Sequence, residues 1–312
     1  MMQPSSSPAA WPELPYTAWV DTRATLHLWT QIVGKVRLSK STWVNHSWHV
    51  TLYVTARGLT TSPIPDGTRQ FQIDFDFIDH RLHVSVSDGQ RGSFPLAPMS
   101  VADFYRRLMG LLAELGIAVA IHARPNELPD AIPFAEDRIH AAYDPDYANR
   151  YWRALLQSDR VLKAFRAGFE GKCSPVHFFW GSNDLAVTRF SGRPAPTHPG
   201  GIPHLPDAVT REAYSQEVSS AGFWPGGGGI DQAVFYAYAY PVPEGFSDYP
   251  VEPTAAYFHP GLREFLLPYD AVRTAEDSDA TLLSFLQSTY EAAAVTAGWD
   301  RARLERDPLP PR

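Results

Sequence analysis

"RQFQIDFDFIDHRLHVSVSDG", residues 69–89, is the stretch from which the fold is read. Phe71, Ile73, Phe75 and Phe77 alternate with Gln72, Asp74 and Asp76, a period of two that gives a strand one apolar face. Leu82, Val84 and Val86 resume the alternation after a turn near Asp79 and His80, so the segment predicts an antiparallel hairpin. The period then changes. In "SVADFYRRLMGLLAELG" (100–116) the apolar residues Val101, Phe104, Leu108, Leu111 and Leu112 follow helical spacing, with Ser100 as N-cap and Gly116 as stop. Strands followed by a helix, with no βαβ alternation, point to an α+β fold.

Outward from this core the chain reads as further strands and helices. "TLHLWTQIVGKVRLS" (25–39) and "NHSWHVTLYVTARG" (45–58) are rich in β-branched and aromatic residues and are expected as strands. "IAVAIHA" (117–123) reads as a short strand and "DPDYANRYWRALLQSDRVLKAFRAGF" (144–169) as a long helix. In the second half, "VHFFW" and "LAVTRF" flank the turn-rich "GSND" (181–184), and placing the tip there pairs Trp180 with Leu185 and His177 with Thr188. "EAYSQEVSSAGFW", "DQAVFYAYAYP" and "REFLLPYDAV" follow, before a final helix in "DATLLSFLQSTYEAAAVTAG" (279–298).

Strands followed by a helix, twice over, suggest two mixed sheet-plus-helix halves packed as one compact unit, with an internal duplication as one explanation. The expected divisions are a disordered tail at 1–10, halves at 11–145 and 146–302, and a flexible tail at 303–312. "LHLWTQIVGKVRLS" set against "VHFFWGSNDLAVTRFS" would make His27 and Trp29 equivalent to His177 and Trp180, and Arg37 equivalent to Arg189.

Composition bounds the function. The 312 residues are 44% hydrophobic and 20% charged, as in globular chains, and the net charge of −7 disfavours nucleic acid and anionic membranes. The single cysteine, Cys173, excludes an intrachain disulfide or a thiolate metal cluster. Neither a signal peptide nor a membrane-spanning run is visible, so a soluble, cytoplasmic chain is expected.

"SPVHFFWGSNDLAVTRFSGRPAPTHPGGIPH" (174–204) concentrates the candidate chemistry. A Cys173–His177 dyad fails, because four residues of extended chain span roughly 13 Å. A direct His177–Asp184 couple fails for the same reason, with roughly 10 Å between them along the hairpin. His177 remains a candidate general acid/base with Glu217 as second carboxylate, and Arg189 a candidate clamp for an anionic group. Trp180, His27, Arg37, Ser219 and Trp224 are the further ligand-binding candidates. Read as a strand, "EAYSQEVSSAGFW" (212–224) puts Glu217, Ser219, Ala221 and Phe223 on one face, continued by Ser215, where they would suit a polar pocket wall. His198, His204 and Glu212 form a weak metal alternative, since H-x5-H matches no established ligand spacing; no cofactor is expected. The glycine run in "FWPGGGGIDQAV" lacks the lysine of a phosphate-binding loop and reads as a loop over a pocket.

The blocks "WPELPYTAWVDTRATLHLWTQIVGKVRLS", "LYVTARGLTT", "SPVHFFWGSNDLAVTRFSGR" and "EAYSQEVSSAGFWPG" resemble the bacterial domain-of-unknown-function family 5996, from about Trp11 to Trp299. The resemblance implies a bacterial protein and assigns no activity, cofactor or residue role. The residues themselves favour a small-molecule enzyme with a polar cleft between the halves, because ligand sites favour such seams. The alternative is a non-catalytic ligand-sensing or protein-interaction module that uses the aromatics of "FYAYAYP".

Overall fold

The structure, a computed structural model, describes residues 10–306. Of the tails expected at 1–10 and 303–312, residues 1–9 and 307–312 lie outside the described residues. Two antiparallel sheets of six strands each carry the fold. In the first, β1 (Tyr53–Val54), β2 (Gly58–Thr60), β4 (Arg69–Asp76), β5 (Arg81–Val86) and β6 (Arg91–Pro95) follow in that order, and β3 (Ile64–Asp66) also pairs with β4. The hairpin of β4 and β5 has the expected parity, with Phe71 opposite Val86 and Phe75 opposite Leu82 on the buried face. Helix α2 (Val101–Glu114) packs there through Phe104, whose ring is stacked 6.2 Å from Phe75 and meets Phe94 edge-on. The Ser100 hydroxyl accepts from the Asp103 amide as its cap.

The second sheet runs β11 (Tyr257–His259), β12 (Glu264–Pro268), β10 (Val234–Tyr240), β9 (Gln216–Trp224), β8 (Asp184–Pro194), β7 (His177–Phe179). Helices α3 (Pro145–Ala167) and α6 (Ser278–Thr296) cover one face. The short helices are α4 (Asp207–Ala213), α5 (Tyr269–Arg273) and α7 (Arg301–Leu304). Leu304 of α7 is buried and Glu305 bridges to Phe169, so 303–306 belong to the fold and not to a tail. The sheets meet where Leu52 and Phe178 exchange two backbone hydrogen bonds of 2.9 Å. One large apolar core runs through both halves, and a small second cluster of Ala186, Val234, Tyr236 and Leu266 lies on the other face of the second sheet.

The largest departure from expectation is residues 25–39, which are helical. Helix α1 runs unbroken from Tyr16 to Lys40, and every residue from Thr25 to Val36 is buried. A helix buried all round needs no polar face, and without one its period is masked and its β-branched residues mimic a strand. The matched segment 176–191 is instead the β7–β8 hairpin, so the equivalences of His27 with His177, Trp29 with Trp180 and Arg37 with Arg189 do not hold. Most of 45–58 is a 3-10 turn (Asn45–Ser47) and irregular chain leading to β1. Residues 117–123 form no strand: the chain between α2 and α3 has no regular element and is anchored by bonds such as Phe134 N–H to Ala123 O. The β7–β8 register also differs, with His177 opposite Ala186 and Phe178 opposite Leu185, because the turn takes in Trp180 to Asn183.

Candidate functional site

Strand parity divides the second sheet into two surfaces. Leu185, Val187 and Arg189 of β8 share a face with Ser219, Ala221 and Phe223 of β9 and with Phe235 and Ala237 of β10. That face meets α3 and α6. The other face carries Ala186, Thr188 and Phe190, then Val218 and Ser220, then Tyr236 and Tyr238. These seven floor a cavity of about 390 Å3. Its roof comes from the Trp43–Val50 segment, from Thr210 and Ala213 of α4 with Tyr214 beyond it, and from Ile202 to Pro206; Asn126 and Glu127 close one end.

The cavity is acidic. Asp184, at the start of β8, is 7% exposed; its Oδ1 accepts from Ser182 Oγ at 2.7 Å and its Oδ2 from the Tyr236 hydroxyl. Burial raises its pKa against the lowering effect of those two bonds. Glu127 sits in the left-handed region, φ 63°, its amide donating to Pro203 O at 2.8 Å. Burial first, and then the Asp184 charge, push its carboxyl up to about 7. Glu264, on β12 beside Tyr238, is raised to about 7 for the same reasons in the same order. The other floor hydroxyls are paired too: Tyr238 with Tyr214 of the roof at 2.8 Å, and Thr188 with Ser220 at 2.9 Å. The Thr210 hydroxyl, on a residue 2% exposed, has no partner. No lysine or arginine lines the cavity.

Helix α1 positions these groups. His27, Gln31 and Lys35, spaced by four, form a buried polar stripe on an otherwise apolar segment. His27 Nε2 donates to Gly181 O at 2.8 Å, and burial lowers its pKa to about 4, so the ring is neutral with its proton on Nε2. Gln31 grips the Asn126 backbone from both sides, Oε1 accepting from N–H at 2.8 Å and Nε2 donating to the carbonyl at 3.0 Å. Lys35, lowered to about 8 by burial, donates to Asn126 Oδ1 and lies 5.7 Å over the Trp180 ring. The stripe therefore holds both the residue before Glu127 and the turn before Asp184. Two glycines allow the close approach. A Cβ at Gly181 would lie 1.9 Å from Glu127 Oε1, and one at Gly34 would lie 2.2 Å from the Trp180 indole.

Of the residues expected from sequence, Trp180 lines the cavity, with Nε1 donating to Val50 O at 2.8 Å. His27 serves from behind, as described. His177 does not reach it: the ring is fully buried among Trp48, Tyr53 and Phe179, neither nitrogen has a partner, and burial drops its pKa to about 3. Arg189 points to the opposite face, 3.5 Å over the Phe165 ring and 4.4 Å from that of Tyr290, donating to Phe165 O. Ser219 faces the same helical layer, so the pocket wall on β9 has the other parity, that of Val218 and Ser220. Glu217 is held by Arg193 at 2.6 Å, away from the cavity. Arg37 donates to Thr51 O and lies over Tyr53. Trp224 packs beside Val234, Tyr236 and Leu266, and the Gly226–Gly229 loop supplies no cavity residue. His198 stacks on Tyr214 at 4.9 Å, His204 offers its carbonyl to Asn126, and Glu212 accepts from Trp43 Nε1 at 2.9 Å. Among the described residues no three His, Cys, Asp or Glu side chains are placed to hold a metal. Cys173 is pushed up to about 11 by burial, which keeps it an unreactive thiol.

Residues 11–306 match the model of a family of unknown function, DUF5996. The chain belongs to that family. No curated protein and no solved structure matches it. DUF5996 membership therefore assigns no residue a role, and the site stands on geometry. Among the described residues no helix is long and apolar enough to cross a membrane. Sequence reasoning missed Glu127, Thr210 and the tyrosine floor of this DUF5996 chain. The floor had a signal, since "YAYAY" (236–240) alternates large phenols with alanine and so puts Tyr236 and Tyr238 together. Glu127 had none: in the irregular stretch before α3 its neighbours are set by long-range contacts, with α1 through Asn126, with Pro203 and with Gly181.

Proposed function

We propose that the protein is a cytoplasmic small-molecule enzyme whose site is this cavity, with Glu127 and Asp184 as its acid–base pair. The observation that carries the reading is that two carboxyls from distant parts of the chain converge, beside a dedicated polar stripe of α1, on one partly open cavity. Inequivalent carboxyls divide acid and base roles: Asp184 is fixed by two donors, and Glu127, near 7, can hold or release a proton at neutral pH. Buried hydroxyls around them supply polar contacts, and the aromatic walls exclude water. The expected His177–Arg189 machinery has no part in this, since neither side chain lines the cavity.

Equilibrium dialysis against a small-molecule cell extract, read by mass spectrometry, tests the reading. The wild-type chain should retain compounds that Ser220→Trp, which fills the cavity from its floor, does not. Identical retention by both, or retention by neither, overturns it. A second reading, ligand sensing without turnover, draws on the exposed apolar residues Trp43 (51%) and Val44 (42%) at the cavity mouth, where a partner protein would find purchase.

A further inference from the structure

We propose that the ligand is a protonated amine carrying an apolar, ring-sized body. This deepens the cavity reading and rests on it. The chemistry of the walls is one-sided. Glu127 and Asp184 line the space, Glu264 stands close enough to feel the Asp184 charge, and neither lysine nor arginine joins them. An anionic ligand would enter against carboxyls with no counter-charge, so the anion clamp expected at Arg189 has no seat here.

Hydrogen bonding says which group awaits the ligand. Asp184 already accepts from Ser182 and Tyr236, and the other floor hydroxyls are paired too. Glu127 accepts no hydrogen bond among the described residues, and the buried Thr210 hydroxyl has no partner either. A carboxylate without donors is the complement of an ammonium group, which has donors and no acceptor. The remaining wall is aromatic, with Trp43, Trp48, Trp180, Phe179 and Phe190 around the space. These rings already receive cations from outside the cavity: Lys172 lies 4.6 Å over Phe190 and 5.8 Å over Trp48, and Lys35 lies over Trp180. A ring-sized apolar body fits between them, at a volume in the range of small-molecule sites.

Binding must then couple to pH. Asp184 on β8 and Tyr214 after α4 act electrostatically on or with Glu127, and Glu264 on β12, Tyr236 and Tyr238 on β10, His27 and Lys35 on α1, His46 on the roof and Lys172 beside it are titratable groups packed around the cavity. A cation pairs with ionised Glu127 and favours loss of its proton. With a free-site value near 7, affinity should rise on the order of 90-fold from pH 5 to pH 8.

The experiment is isothermal titration of the full chain with three probes sharing one ring: 2-phenylethylamine, 2-phenylethanol and 3-phenylpropionate. At pH 8 the amine should bind at least tenfold tighter than either of the others. Its affinity should fall at least tenfold in Glu127→Gln, be largely restored in Glu127→Asp, and vanish in Ser220→Trp. Alcohol or carboxylate binding as tightly as the amine, with that binding lost in Ser220→Trp, overturns the amine assignment and leaves the cavity reading standing. No binding by any probe at millimolar concentration also overturns the assignment; the cavity reading is then decided separately by the extract dialysis. Unaltered amine binding in a folded Glu127→Gln chain overturns it as well.

Discussion

Replacing Glu127 by Gln should stabilise the protein at pH 8 and change little at pH 4.5. The folded-state pKa of Glu127, about 7, lies above its ordinary value of 4.5. Between those values the folded chain keeps a proton that the unfolded chain has released, so stability falls as pH rises through that window. Each pKa unit corresponds to about 1.4 kcal/mol, which makes the loss at pH 8 at most about 3 kcal/mol. Gln at this site has nearly the same shape and cannot ionise, so the variant escapes that loss. In a chain this long, about 3 kcal/mol is a rise in melting temperature of roughly 6 °C. Urea unfolding followed by circular dichroism at pH 4.5 and pH 8 measures both ends. A Glu127→Gln variant that is destabilised at pH 8, or whose advantage is the same at both pH values, would refute the argument, because the carboxyl would then be ionised at no cost in the folded state.

Two further expectations follow from packing. His177→Leu should unfold no more easily than wild type, and by up to about 1–3 kcal/mol less easily, since both buried ring nitrogens lack partners; ligand retention should be unchanged, and its loss in a stable variant would return His177 to the site. Gly34→Ala puts a methyl into the Trp180 indole, so despite the better helix propensity of alanine it should cost about 2 kcal/mol or more and weaken retention of any cavity ligand, measured by thermal denaturation and dialysis.

What could be read from the sequence were the elements with one wet face. β4 and β5 alternate because one side of their sheet is buried and the other half-exposed, and α2 shows its stripe for the same reason. Helix α1 was illegible because burial on all sides removes the contrast that periodicity needs. That error carried over into the site. With 25–39 taken as strand, His27 could not be seen in line with Gln31 and Lys35, and the paired histidines of the two supposed copies drew attention to His177. On β9 the faces were correctly grouped, although the strand begins at Gln216 and 212–213 end helix α4; nothing in "EVSSAGFW" says which face meets the helices, and the serine chosen was the one in the helical layer. Glu127 depended on a contact between residues about 95 apart in the chain, which no local pattern encodes.

The same helix explains why the site needs both halves. Its middle carries Trp29 into the first half, stacked 4.7 Å from Phe104 of α2, while His27, Gln31 and Lys35 hold Gly181 of the second half and Asn126 of the connecting chain. Three polar side chains buried in an apolar core cost stability unless each is satisfied. Here their partners are the Gly181 and Asn126 backbones and the Asn126 side-chain oxygen, next to Asp184 and Glu127 respectively. An apolar α1 of the same shape would leave the Asn126 and Gly181 backbones without those partners and free the two segments to move apart. On the proposed reading, the buried stripe is the device that holds the two carboxyl-bearing segments together.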